Sequence, residues 1–227
     1  MNESIAMLIK IGIVVIAFVP SICIHELAHG FAAYKLGDPT AKNAGRITLN
    51  PAKHIDPFGT VLLPASMILI SSLTGGIGFV FGYAKPVPYN PNYFKNKKQG
   101  EIIVGLSGPA ANILLALIGA SICWLCGYLV PVSYLVATYV FQFGYALCST
   151  NLCLAFFNLI PLPPLDGSSI LALFLPYKYM NTYYEIQRYS FWIFIIIVCV
   201  VPYLTNIDII GWYLNATAGN LLKLLIL

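Results

Sequence analysis

The chain has 227 residues, of which 59% are hydrophobic and only 9% are charged, and its mean hydropathy is +0.82. These values exclude an ordinary soluble core and are typical of an integral membrane protein. The net charge of +4 is concentrated in two loops, a distribution that fits membrane topology better than nucleic-acid binding. We therefore predict an all-α polytopic membrane protein with about five to six transmembrane helices, which lies in the lipid bilayer and binds no nucleic acid.

The first apolar stretch, residues 5–36, contains the motif His25-Glu26-x-x-His29. At about 1.5 Å per residue, a helix of this length exceeds the roughly 30 Å thickness of the hydrocarbon core. Residues i and i+4 share one face of a helix, so His25 and His29 can bind a single metal ion. Glu26 lies next to His25, where it can act as the base without being a ligand. Because ionisable side chains are costly inside a membrane, we predict that this stretch is the catalytic helix.

A polar, turn-rich basic loop follows at 37–57, and the next segment, 58–91, is apolar with a break at Gly75-Gly76. Basic residues occur in the loop and around the end of the segment: Lys42, Arg46, Lys53, Lys85, Lys95, Lys97 and Lys98. A segment that crossed the membrane fully would put these two groups on opposite sides, whereas one that returned would put them on one side. The positive-inside tendency and the short apolar runs favour a re-entrant or extended segment near 58–91.

Core helices are predicted at 102–130 and 135–159, and a ligand loop at 160–167 follows them. Three prolines within four positions of this loop prevent the helix from continuing. Asp166 lies beyond that break and is a candidate third ligand, which would complete a His-His-carboxylate set with an open fourth position. Alternatively, Asp166 caps a helix that begins at Ser168.

The C-terminal part of the chain, 189–227, is predicted to be helical. Residues 189–204 are expected to cross the membrane. Residues 207–227 form either a last crossing or an interfacial helix held by Trp212 and Tyr213. We expect residues 1–227 to form a single membrane-embedded domain.

Three ordered motifs resemble those of a known family: His25-Glu26-x-x-His29-Gly30, the Gly-Pro-x-x-Asn of Gly108–Asn112, and Asn158 through Asp166-Gly167. Together they resemble the site-2 protease family of intramembrane zinc metalloproteases. Three further stretches are similar to its small prokaryotic branch, which has no PDZ or CBS domain: Gly37-Asp-Pro-Thr-Ala-Lys, Leu49-Asn-Pro-x-x-His54-Ile-Asp-Pro-x-Gly59 and Ala84-Lys-Pro-Val-Pro. The resemblance covers most of residues 20–190.

The resemblance implies one Zn²⁺ ion bound by the matching residues His25, His29 and Asp166, with Glu26 as the base and no other cofactor. It implies an endopeptidase of regulated intramembrane proteolysis, whose substrate is itself a transmembrane protein or peptide. It also implies a multi-pass protein of the cell membrane whose active site lies toward the cytoplasmic side.

The oxyanion formed during peptide hydrolysis needs a hydrogen-bond donor in addition to the metal. Asn158, which precedes the ligand loop, is the best-placed amide by sequence, and Asn112 is the second candidate. Asn112 shares its helix with small residues that allow close helix packing, so it can instead make an interhelical hydrogen bond. The Gly- and Pro-rich stretch 74–91 is a candidate edge for β-augmentation with an unwound substrate. His54 either bonds nearby backbone or lies over the active-site mouth.

Two other functional classes fit parts of the sequence. A zinc or proton transport protein would also place His and Asp residues in the membrane, but it predicts further polar residues across several helices. An inactive membrane scaffold would be free to lose Glu26 or Asp166, and both are present.

Overall fold

The structure is a computed structural model that describes residues 3–62, 84–197, 204–205 and 208–226. All regular secondary structure in these ranges is helical, which confirms the predicted all-α class. The α-helices are α1 (Glu3–Lys35), α2 (Thr40–Asn43), α3 (Lys97–Leu125), α4 (Tyr134–Asn158), α5 (Ser168–Phe174), α6 (Met180–Ile195), α7 (Ile209–Leu214) and α8 (Asn220–Ile226). A π-helical turn, Asn215–Gly219, joins α7 to α8.

Within the described residues, three helices are long and apolar enough to cross a membrane: Ser4–Lys35, Lys97–Leu129 and Tyr134–Asn158. They correspond to the predicted catalytic helix and the two predicted core helices. The other predicted crossings stay predictions. The centre of the predicted re-entrant segment, 63–83, lies outside the described residues.

The starts of the two core helices are set by polar caps. The side chain of Asn96 accepts a hydrogen bond from the Gln99 N–H, so α3 begins before the predicted residue 102. Ser133 caps α4 in the same way, with its hydroxyl oxygen accepting from the Val136 N–H. Such side-chain caps satisfy backbone donors that the first turn of a helix leaves unpaired.

The helices α1, α3 and α4 pack against one another and form the core of the bundle. Glycines bring the backbones of α3 and α4 into contact. A Cβ atom added to Gly119 would lie 2.5 Å from the Cys148 nitrogen and 2.7 Å from the Gly144 carbonyl oxygen. Small residues at helix crossings are the usual means of close packing inside membranes, where burial from water contributes little.

Two polar segments meet at the end of the bundle where α1 ends and α3 begins. The Lys85 N–H donates to the His54 carbonyl at 2.8 Å. The Asn90 N–H donates to Asp38 Oδ2 at 2.6 Å, and Asp38 is fully buried. The residues that flank 63–83 therefore return to the same end of the described bundle.

Candidate metal centre

His25 and His29 lie one turn apart on α1, on the side that contacts α3. Both residues are nearly buried, with 7% and 9% of their surface exposed. Their Nε2 atoms are 3.1 Å apart. The i to i+4 spacing therefore brings two imidazole nitrogens to one point.

Asp166 reaches the histidines from the ligand loop between α4 and α5. Its Oδ2 atom lies 3.1 Å from His25 Nε2 and 3.3 Å from His29 Nε2. A hydrogen bond of 2.6 Å from the Gly167 N–H to the Asn158 carbonyl holds the end of this loop. Helix α5 starts after Gly167 without a side-chain cap. The Asp166 carboxylate thus faces the histidines instead of capping α5, and the capping alternative is wrong.

The hydrogen bonds of the two Nδ1 atoms show that each histidine faces Asp166 with the lone pair of its Nε2 atom. His29 Nδ1 lies 2.7 Å from the Val104 carbonyl oxygen, which can only accept, so Nδ1 carries the hydrogen. His25 Nδ1 lies 2.5 Å from Asn112 Oδ1 and has the same role. In the neutral rings both Nε2 lone pairs face Asp166 Oδ2, which is buried and has no hydrogen-bond partner. Three such atoms repel one another unless a cation lies among them.

The spacing of these three atoms also suits zinc. Zn–N and Zn–O bonds are about 2.0–2.1 Å in tetrahedral sites, so neighbouring ligand atoms lie about 3.3 Å apart. The observed separations are between 3.1 and 3.3 Å. Two histidines and one carboxylate leave a fourth position open, as catalytic zinc sites do. The residues present therefore fit a zinc ion.

The charge of Asp166 is appropriate for a metal ligand. Burial raises the pKa of the Asp166 carboxyl, but His29 and His25, when they are protonated in the absence of a metal ion, lower it by more. The net pKa lies well below the ordinary range of an aspartic acid. The group is therefore ionised and can neutralise part of the charge of a bound cation.

Glycines allow α3 to lie directly against the histidines. A Cβ atom added to Gly108 would lie 2.4 Å from His29 Nε2 and 2.6 Å from His25 Cε1. A Cβ atom on Gly105 would lie 2.3 Å from Ser169 Oγ, at the start of α5. These distances are far inside van der Waals contact. The Gly-Pro-x-x-Asn motif therefore provides space for the histidines as well as a polar side chain.

Glu26 lines a cavity of about 440 Å³. His29, Asp166 and the buried Glu101 also line this cavity. Glu26 Oε2 accepts a hydrogen bond of 3.0 Å from the Val87 N–H. This contact fixes one carboxylate oxygen of Glu26 at the wall of a polar cavity that is large enough for water.

The segment 84–90 forms one wall of the cavity and is not helical. The buried guanidinium of Arg46 donates to the carbonyl oxygens of Lys85 and Pro86, at 2.5 and 3.3 Å. Together with the Val87 contact to Glu26, these bonds hold the segment against α1.

The two predicted asparagines differ in their contacts. The Asn158 amide donates to the Leu154 carbonyl of its own helix at 3.0 Å, and its role as an oxyanion donor stays a prediction. The Asn112 oxygen accepts from His25, and its amide donates to Asn151 Oδ1 at 2.7 Å. Asn112 therefore makes the interhelical hydrogen bond that was the alternative to an oxyanion role.

Two other polar contacts bear on the sequence analysis. His54 is 1% exposed, and its Nε2 bonds the Thr48 carbonyl oxygen at 2.8 Å, as expected of a loop histidine bonded to nearby backbone. Sequence reasoning missed Asn151 and Ser21, which are fully buried and hydrogen-bonded to each other. The available signal was that both are polar residues within apolar helices.

Comparisons with known proteins agree with this site. Residues 129–201 match the family described as Peptidase family M50. The chain is 37% identical to "Putative zinc metalloprotease YwhC" of Bacillus subtilis over 211 residues, which cover 92% of this chain and 89% of that protein. It is 29% identical to "Putative zinc metalloprotease Rip2" of Mycolicibacterium smegmatis over 206 residues, 89% of this chain and 73% of that protein. No solved structure matches the chain.

The extent and identity of the first similarity, together with the family match, show that the chain belongs to peptidase family M50, the site-2 protease family of zinc metalloproteases.

Proposed function

We propose that this chain is a zinc-dependent intramembrane endopeptidase, which cuts peptide bonds within or next to transmembrane segments of its substrates in regulated intramembrane proteolysis. The observation that carries the proposal is the meeting of His25, His29 and Asp166 beside Glu26, among helices long enough to span a membrane. In this proposal residues 1–227 form one metalloprotease domain.

His25 and His29, through Nε2, and Asp166, through Oδ2, would hold one zinc ion. Zinc supplies a Lewis acid for the scissile carbonyl and lowers the pKa of water toward about 7. The protein contributes the spacing of the three donor atoms and the surrounding contacts that orient both imidazoles.

Glu26 is the proposed general base. The bond from the Val87 N–H fixes its carboxylate at the cavity wall. Glu26 takes a proton from water as the water oxygen forms its bond to the carbonyl carbon of the substrate. It then donates that proton to the amide nitrogen as the C–N bond breaks, so that the amine leaves neutral.

Asn158 is the proposed second donor to the oxyanion. Its amide must first turn away from the Leu154 carbonyl, to which it now donates. Asn112 is less suited to this role, because its oxygen accepts from His25 and its amide donates to Asn151. We assign Asn112 to holding His25.

The substrate is proposed to bind in an extended conformation along 84–90. A transmembrane helix has its carbonyl groups bonded internally, so the scissile part must unwind before attack. Segment 84–90 is not helical, contributes residues to the lining of the cavity, and is held by Arg46 through two of its carbonyls. We infer that this segment pairs with the unwound substrate by β-augmentation.

The active site is proposed to lie toward the cytoplasmic side of the cell membrane. The polar segments after α1 and before α3 are hydrogen-bonded to each other, which brings their basic residues to one end of the bundle. Such residues favour the cytoplasmic side. His25 and His29 lie in the half of α1 nearer that end. The same contacts support a segment 58–91 that enters the membrane and returns.

Asn112, Asn151 and Ser21, the polar side chains near His25, do not favour the alternative of a zinc or proton transport protein. Their hydrogen bonds end at the Ala17 and Leu147 carbonyl oxygens. A backbone carbonyl accepts a hydrogen bond but cannot pass a proton on. This set of contacts is therefore not a proton path.

The test is cleavage of a tagged model transmembrane substrate by the purified protein in detergent. We expect the wild type to cut the substrate and to contain one zinc ion. Glu26→Gln should keep zinc and lose about 10²–10⁴-fold in rate. Asp166→Ala should lose both zinc and cleavage. Wild-type cleavage by Glu26→Gln, or no zinc in the wild type, would refute the proposal.

A further inference from the structure

A chain of buried hydrogen bonds leads from His25 across three helices. His25 on α1 contacts Asn112 on α3, at 2.5 Å between Nδ1 and Oδ1. Asn112 Nδ2 donates to Oδ1 of Asn151 on α4 at 2.7 Å. Asn151 Nδ2 in turn donates to Ser21 Oγ, back on α1, at 2.8 Å. Asn112, Asn151 and Ser21, here called the hydrogen-bond chain, are all fully buried.

The far end of the hydrogen-bond chain fixes its direction. Asn151 Nδ2 also donates to the Leu147 carbonyl at 2.8 Å. The Ser21 hydroxyl donates to the Ala17 carbonyl at 2.6 Å. Carbonyl oxygens can only accept, so the Asn151 amide must point its nitrogen toward the Leu147 carbonyl. The Ser21 hydroxyl, whose hydrogen goes to Ala17, is left to accept from the same nitrogen. The Asn151 oxygen is therefore left to face α3.

This direction carries through to the metal ligand. Because the Asn151 oxygen faces Asn112, the Asn112 nitrogen must be the donor between them. The Asn112 oxygen then faces His25 Nδ1, which must carry the hydrogen. The lone pair of the neutral His25 ring is consequently on Nε2, the atom that lies 3.1 Å from Asp166 Oδ2.

We propose that Asn151, supported by Ser21, is a positioning residue for the metal ligand His25. It prevents the Asn112 amide from turning over, and it thereby keeps His25 in the one tautomer whose Nε2 can bind a metal. This inference rests on the zinc site proposed above. It adds two residues to that site, at positions that none of the three motifs includes.

His29 provides an internal comparison. Its Nδ1 bonds directly to the Val104 carbonyl oxygen, which can only accept a hydrogen bond. No amide lies between His29 and backbone, so the His29 tautomer does not depend on Asn151. Loss of the hydrogen-bond chain should therefore change His25 and leave His29 as it is.

The first test replaces Asn151 with an apolar residue of similar size. In Asn151→Leu the Asn112 amide loses its acceptor and can turn, which places a hydrogen on His25 Nε2. We expect zinc affinity, measured by competition with a chelator, to fall about 10–100-fold. Ser21→Ala should cost less, because Asn151 keeps its bond to the Leu147 carbonyl.

The matched control is Leu152→Ala. Leu152 follows Asn151 on α4 and is fully buried in an apolar cluster outside the hydrogen-bond chain. Its truncation should lower thermal stability without changing zinc affinity. Equal losses of zinc affinity in Leu152→Ala and Asn151→Leu would reduce the role of Asn151 to packing and overturn the proposal.

A second substitution should rescue the first. Asn112→Asp offers only oxygen atoms when ionised, so His25 Nδ1 must again be the donor, whatever lies behind it. We expect the double variant Asn112→Asp/Asn151→Leu to recover most of the zinc affinity lost in Asn151→Leu. A purely structural role for Asn151 predicts the opposite, because the double variant adds a buried carboxylate to a damaged core.

Nitrogen NMR of histidine-labelled protein reads the tautomer directly, and the chain has only three histidines. In the zinc-loaded wild type, His25 should carry its hydrogen on Nδ1. In Asn151→Leu the His25 signals should change while those of His29 persist. A hydrogen on His25 Nε2 in the wild type would overturn the inference without any variant. Failure of the protease proposal gives a different result: the wild type contains no zinc, or Glu26→Gln still cleaves the substrate.

Discussion

The two halves of α1 share one helical conformation but have opposite surroundings. In the first half, apolar side chains such as Leu8 and Ile16 are 68% and 63% exposed. In the second half, Ser21, His25 and His29 are buried. Lipid accepts exposed apolar side chains, whereas polar groups in a membrane must find partners inside the protein. The lipid-facing half therefore tolerates many residues, and the site-bearing half requires particular shapes and hydrogen-bond donors.

The largest expected contrast comes from a Gly→Ala substitution on α3, where it faces the site-bearing half of α1, and the same substitution within the lipid-facing half. Gly108→Ala puts a methyl group 2.4 Å from His29 Nε2, so the histidines must move apart from Asp166. We expect bound zinc to fall below about one tenth of the wild-type content and cleavage to become undetectable. Gly12→Ala, in the lipid-facing half, has nothing within 4 Å of the new methyl group and should change neither value.

Metal analysis of the purified proteins, together with the cleavage assay, checks this pair. If Gly108→Ala retains a full zinc ion and wild-type cleavage, the close contact between α3 and the histidines is not a requirement of the site.

A smaller effect on cleavage is expected from Arg46, which lies in the loop after the site-bearing half of α1. Arg46→Met removes the bonds to the Lys85 and Pro86 carbonyls and frees the wall of the cavity. Hydrogen bonds from a charged donor contribute about 1.5–3 kcal/mol. We expect kcat/KM for the model substrate to fall at least about tenfold with zinc content unchanged. Lys42→Met, at an exposed position of the same loop, should cleave like the wild type.

Steady-state cleavage with zinc determination tests this expectation. Equal activity of the two variants would show that segment 84–90 keeps its position without Arg46, and it would separate substrate binding from that segment.

The smallest effect concerns stability rather than chemistry. Ala17 is fully buried against Ala146 and Leu147, so Ala17→Leu should overpack the bundle and cost about 1–3 kcal/mol. Leu8→Ala, at a mostly exposed position, should stay within about 0.5 kcal/mol of the wild type. Thermal unfolding in detergent compares the two. An equal loss in both would mean that the Leu8 position is also packed against protein.

Local features of the chain predicted much of the fold and the candidate ligands. The His25 and His29 pair follows from helical spacing alone, and the proline-rich break before Asp166 indicates where the helix must end. Apolar stretches predicted the positions of α1, α3 and α4. These features depend on neighbouring residues, which a sequence displays directly.

Features that depend on distant residues could not be predicted. Arg46 was counted as a loop charge that sets topology, yet it is buried and bonds two carbonyls of another segment. Asn112 was weighed as an oxyanion donor, but its partners lie on two other helices. The backbone carbonyl of Val104 orients His29, and a backbone atom has no sequence signature.

X-ray absorption at the zinc edge of the purified protein tests the central claim most directly. If α1 and the ligand loop share one ion, the spectrum should show two imidazole nitrogens and carboxylate oxygen at about 2.0–2.2 Å, with another light atom in the fourth position. Asp166→Ala should lose this signal. Zinc absent from the wild type, or sulfur scattering at about 2.3 Å, would contradict a site built from His25, His29 and Asp166.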